Sequence, residues 1–186
     1  WEGLGAFDSN ERKLANDLLG FKGSIVFPTV AFDQVLAAKD QSIVLGGVKA
    51  LNRGMASFCQ DDSRMYGVAY IPFHFGAEVA LDYLKDAIKQ GFSVIAIDTI
   101  APLGCNSSTH PDFDCVWQEI QEADIAITLH VGIDNSWDPV PLSFYNNAGT
   151  VPVHKQGDAP RDALAFVGIG YCAELFLASL IFDGIF

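Results

Sequence analysis

Residues Met65 to Ile100 read MYGVAYIPFHFGAEVALDYLKDAIKQGFSVIAIDTI. The opening run, MYGVAYIPF (Met65 to Phe73), is apolar and closed by a proline that cannot donate to a sheet ladder, which predicts a strand. From Gly76 to Gln90, Val79, Leu81, Leu84, Ala87 and Ile88 fall on one side and Glu78, Asp82, Lys85 and Lys89 mostly on the other. That spacing predicts an amphipathic helix, stopped by Gly91. SVIAIDTI (Ser93 to Ile100) is the next strand. Strand, helix and strand in immediate succession form the unit of a parallel sheet.

The same alternation extends in both directions. Phe21 to Thr29 (FKGSIVFPT) is a short β-branched run closed by proline, and Ile43 to Cys59 carries apolar residues at helical spacing. After Ile100 comes a polar loop, then Asp114 as a candidate cap for a helix from Cys115 to Ala123, then a fourth strand, AITLHVG (Ala126 to Gly132). Ile133 to Pro160 is irregular, rich in Asn, Asp, Pro and Gly, and of a length usually kept for function or disorder. Arg161 to Ile185 returns to helical patterning. No linker divides the chain, so residues 1–186 read as one α/β domain.

Two parallel architectures compete, an open doubly wound sheet and a closed eight-stranded (β/α)8 TIM-type barrel. No strand is followed by GxGxxG, since Gly168-Ile169-Gly170 sits in a helical run, and no GxxxxGK[ST] occurs, so the open sheet lacks its best positive sign. A barrel takes roughly 200 to 400 residues, and four strands are about half of one. The expected fold is an incomplete barrel.

Half of the 186 residues are apolar, as suits strands buried on both faces, and the mean hydropathy is +0.24. Ala163 to Phe186 is the stretch that invites a membrane reading, but Glu174 lies near its middle, Asp183 near its end, and no Lys/Arg cluster flanks it. A packed helix is expected, with no membrane role. Eleven basic against 23 acidic residues give a formal charge of −12, which repels a phosphate backbone and argues against nucleic acid as a partner. Cys59, Cys105, Cys115 and Cys172 are scattered without a CxxC pair, which fits reduced thiols and a cytoplasmic location.

Functional groups of either architecture collect at the carboxyl ends of the strands. There stand Pro28-Thr29, Pro72-Phe73-His74, Asp98-Thr99 and His130-Val131-Gly132. His130 closes an apolar strand beside a glycine, where an imidazole can ligate a metal, act in acid–base chemistry, or be a core histidine bonded to a carbonyl. Asp98 can orient a ligand or cap the following loop. His74, on the loop His74-Phe75-Gly76, is expected to be exposed. Cys105, His110 and Cys115 match no common zinc spacing, His154 reads as exposed, and Arg53 as a paired or snorkelling side chain. Tyr145 and Asn146, after the His130 strand, offer aromatic and amide groups suited to a small polar substrate, or simply a turn.

Four stretches together resemble one family: ALNRGMASFCQDDSRMYGVAYIPF (Ala50 to Phe73), Ala77 to Ile97, HPDFDCVWQEIQEADIAITLHVG (His110 to Gly132) and LASLIFDGIF (Leu177 to Phe186). They are similar to the amidohydrolase-related metal-dependent hydrolases and decarboxylases, the group that includes aminocarboxymuconate-semialdehyde decarboxylase. The resemblance implies a (β/α)8 barrel with zinc or manganese held by an HxH pair on the first strand, a histidine ending the fifth and an aspartate on the eighth, and a catalytic histidine ending the sixth. His130 maps onto the fifth-strand ligand, which makes the four strands here the second to fifth. No HxH occurs in the chain. Beginning at Trp1 and ending on FDGIF, the chain reads as part of such a barrel, inactive by itself and with edges that invite a homo-oligomer. The implied parent enzyme hydrolyses or decarboxylates a small carboxylic or cyclic compound, with Asp98, Tyr145 and Asn146 as substrate-shell residues. The rival expectation is a non-catalytic barrel remnant used for binding or assembly.

Overall fold

The strands pair in the order in which they occur along the chain, β1 (Ser24–Val26), β2 (Met65–Ile71), β3 (Val94–Ile97) and β4 (Ala126–Thr128), all parallel. A computed structural model describes residues 3–130 and 170–186. Doubly wound sheets reverse their strand order at a switch point, whereas a barrel winds in one direction. The monotonic order and the curl of the sheet therefore make this half of a barrel. Register runs Val26↔Gly67 between the first two strands, Tyr70↔Ala96 between the next two and Ala96↔Thr128 between the last two.

The helices are α1 (Ser9–Leu19), α2 (Val30–Leu36), α3 (Gln41–Cys59), α4 (Ala77–Lys89), α5 (Asp114–Glu122) and α6 (Tyr171–Phe182). Asp8 and Asp40 cap α1 and α3 by accepting backbone N–H bonds from the first turn. Helix α3 lies against β2, and α4 packs beside α5. The sheet is so closely covered there that a Cβ on Gly67 would stand 2.9 Å from Met55 Cγ and 3.1 Å from Cys59 Sγ. All of β3 and all of β2 except Tyr66 are buried, as expected of a parallel sheet faced on both sides. The edge strands β1 and β4 are only partly covered.

Several boundaries differ from the sequence expectation for local reasons. Only Ser24–Val26 of the first expected strand pairs: the Phe21 N–H is taken by the carbonyl of Asn16 at the end of α1, and at the other end Pro28 has no donor and Thr29 turns with φ 35°. β2 ends before Pro72, and Phe73–Phe75 form a 3-10 turn. Asp114 is the first residue of α5 and not its cap; His110 instead caps a 3-10 turn over Pro111–Phe113. α1 and α2 went unforeseen. The fourth strand stops at Thr128, two residues before His130, and the described part of the last helix is α6. Among the described residues no helix is long and apolar enough to cross a membrane.

Candidate functional site

Successive residues of a strand point to opposite faces. Gly67 faces α3, so Val68 and Tyr70 face the other, concave side, with their register partners Val94 and Ala96. Asp98 follows two residues after Ala96 at the carboxyl end of β3, and it is 1% exposed. A carboxylate so buried needs donors. Its Oδ2 accepts the hydroxyl of Tyr70 at 2.8 Å and lies 2.8 Å from Nδ1 of His74, with the His74 backbone N–H at 3.4 Å. Its Oδ1 is buried and has no hydrogen-bond partner among the described residues.

The residues around this carboxylate are held from several sides. Tyr70 meets Phe32 edge-on with ring centroids 5.5 Å apart. Its backbone is clamped by Asn52 of α3: the Asn52 amide donates to the Tyr70 carbonyl at 3.0 Å, and the Tyr70 N–H donates to the Asn52 carbonyl oxygen at 2.9 Å. The β1–β2 ladder ends at Gly67, so this buried side chain stands where the next stretch of β1 would have paired. His74 is fixed by its own turn. Phe73 is fully buried against Phe113 and Trp117, the Leu103 N–H donates to the His74 carbonyl at 2.9 Å, and Phe75 lies on the imidazole with centroids 4.2 Å apart. Gly76 turns the chain into α4 with φ 93°, where a Cβ would stand 3.2 Å from the Leu103 carbonyl oxygen.

Sequence reasoning placed Asp98 at this rim as a ligand-orienting residue or loop cap, and the structure joins it to Tyr70 and His74. His74 was expected to be exposed; its side chain is 20% exposed and anchored on Asp98. Tyr70 and Asn52 were missed as functional candidates. Tyr70 sits in a run that reads as core, and the one signal for Asn52 was a polar pair, Asn52-Arg53, inside an apolar helix. Arg53 itself is exposed.

His130 lies two residues beyond Thr128, as Asp98 lies two residues beyond Thr128's register partner Ala96. Its exposed imidazole meets Phe27, just past β1, edge-on at 5.1 Å, so groups from the first and last strands of the sheet meet at the carboxyl end. Tyr145, Asn146 and His154 lie outside the described residues. Cys105, His110 and Cys115 do not converge. Cys105 donates to the Ser107 carbonyl, Cys115 to the Asp112 carbonyl, and His110 Nδ1 accepts the Asp112 N–H at 3.3 Å. Burial pushes the Cys59 thiol up from its ordinary pKa, which leaves it a poor nucleophile. Among the described residues no group of three or more His, Cys, Asp or Glu side chains could hold a metal ion.

No family model matches the chain. No curated protein matches it either. Among solved structures it is similar to an amidohydrolase from Mycobacterium avium subsp. paratuberculosis K-10, with a TM-score of 0.69 and 16% identity. The match covers 98% of this chain and 46% of that one, so the chain spans about half the length of that structure. At this identity the likeness concerns the fold: an amidohydrolase-like half barrel.

Proposed function

We propose that the chain contributes to a metal-dependent hydrolase or non-oxidative decarboxylase acting on a small carboxylic or cyclic compound. The observation that carries this reading is the buried Asp98, tied to His74 and Tyr70 where strands β2 and β3 end, in a sheet shaped like part of an amidohydrolase barrel. His130 is the proposed metal ligand, and Asp98, Tyr145 and Asn146 are proposed to surround the substrate. The metal would be zinc or manganese, and when bound it would activate water or polarise a carboxylate. The described residues do not make a metal centre by themselves. Its other donors belong, on this reading, to the share of the barrel that this chain does not span.

A second reading is a non-catalytic barrel remnant serving binding or assembly, favoured by that missing donor set and by the exposed Leu175, Leu177, Ile181 and Phe182 of α6. The two are separated by assaying the full-length, metal-supplied protein against small carboxylic acids and cyclic amides, following carbon dioxide release and ring opening. The enzyme reading expects turnover that His130→Ala abolishes. Turnover unchanged in His130→Ala would overturn the role given to that residue, and a folded protein with no turnover would favour the remnant.

A further inference from the structure

The imidazole of His74 has two unlike ends. Nδ1 is 2.8 Å from the fully buried Asp98 carboxylate, whose Oδ2 also takes the Tyr70 hydroxyl. Nε2 has no hydrogen-bond partner among the described residues, and it is not among the buried polar atoms. An ionised carboxylate only accepts hydrogen bonds, so it fixes the ring proton on Nδ1 and leaves the lone pair of the neutral ring on Nε2. The spare nitrogen belongs to a side chain that is 20% exposed, at the strand ends where barrels keep their chemistry.

We infer that His74 is a proton-accepting group of the site, with Nε2 as its reactive atom and with Asp98 and Tyr70 as its positioning residues. The ligand it suits carries an acidic O–H, either a water molecule or the hydroxyl of a small polar compound. In the proton step the Nε2 lone pair forms an N–H bond as the ligand O–H bond breaks, its electron pair staying on the ligand oxygen. The imidazolium so formed is held against the Asp98 carboxylate, as in other carboxylate–histidine pairs. No metal is needed for this assignment. That the ligand is a substrate rests on the function proposed above, whereas the state of the ring does not.

The ring can be tested without substrate or metal, on the full chain labelled with 15N at histidine. At mildly alkaline pH, long-range proton–nitrogen spectra should show His74 protonated on Nδ1 and bare on Nε2. In Asp98→Asn, whose amide can donate to Nδ1, the proton should move to Nε2. Diethyl pyrocarbonate supplies the reactivity arm: Nε2 attacks one of its carbonyl carbons, an N–C bond forms and ethyl carbonate leaves. His74 should be carbethoxylated in the wild type, and several-fold more slowly in Asp98→Asn, with the exposed His110 as internal reference. A proton on Nε2 in the wild type, or a His74 that resists the reagent while His110 reacts, overturns the inference. The wild-type spectrum decides even if the variant fails to fold. Metal binding unchanged in His130→Ala, with His74 behaving as stated, would remove the metal-enzyme reading and leave this one standing.

Discussion

Oδ2 of Asp98 and Nδ1 of His74 stand 2.8 Å apart and join the ends of two neighbouring parallel strands, with the Tyr70 hydroxyl on the same oxygen. Two side chains from the end of β2 are thereby held on one buried carboxylate at the end of β3. Tyr70→Phe removes one donor and leaves the shape of the ring. A hydrogen bond to a buried charged group is worth about 1.5 to 3 kcal/mol, so the variant should unfold at a lower denaturant midpoint with an unchanged m-value. A stability equal to wild type would show that the hydroxyl does not serve Asp98.

Asn52 replaces a missing strand for the backbone of Tyr70. Asn52→Leu keeps the approximate volume and leaves a buried N–H and a buried carbonyl without partners, at a cost on the order of 3 kcal/mol. Hydrogen exchange at the Tyr70 amide should accelerate by more than at Ala96 on the neighbouring strand.

Gly67 is small because α3 lies directly on it. Its added Cβ in Gly67→Ala would meet Met55, Cys59 and Phe92 at 2.9 to 3.3 Å. Overpacking of this kind costs about 1 to 3 kcal/mol, to be read from thermal unfolding. Gly54→Ala on the exposed side of α3, where a Cβ meets nothing within 4 Å, is the control and should be neutral or stabilising.

The carboxyl of Asp62 is lowered from 3.8 to about 2, chiefly by the side-chain hydrogen bonds from Arg64, then by the Arg64 backbone N–H. A group whose folded value lies below its unfolded value stabilises the fold above the unfolded value and loses that contribution as pH falls to the folded one. Asp62→Asn should therefore melt earlier than wild type at neutral pH, and the gap should close between about pH 4 and pH 2. A gap that stays constant over that range would contradict the pairing.

Much of this architecture was legible in the chain. The apolar runs closed by Pro72 and Asp98, and the amphipathic α4 between them, specify a parallel βαβ unit through local periodicity alone. The direction of winding was not legible, since it depends on which strands pair. The site divides in the same way. Asp98 and His130 were singled out because a polar residue ending an apolar strand is a local signal. The burial of His74 required the 3-10 turn that Phe73 and Gly76 impose, and the roles of Tyr70 and Asn52 depend on contacts 28 and 18 residues away along the chain. Tyr145 and Asn146 remain readings from sequence.

On the proposed function, the carboxyl mouth of this sheet belongs to a metal-dependent enzyme with His130 as a ligand. This role is tested most directly by titrating metal-free full-length protein and its His130→Ala variant with zinc and with manganese, following heat of binding. The account expects one tight site per chain in the wild type and its loss, or weakening by at least tenfold (about 1.4 kcal/mol), in the variant, with the fold intact by circular dichroism. Equal affinity and stoichiometry in the two proteins would contradict it.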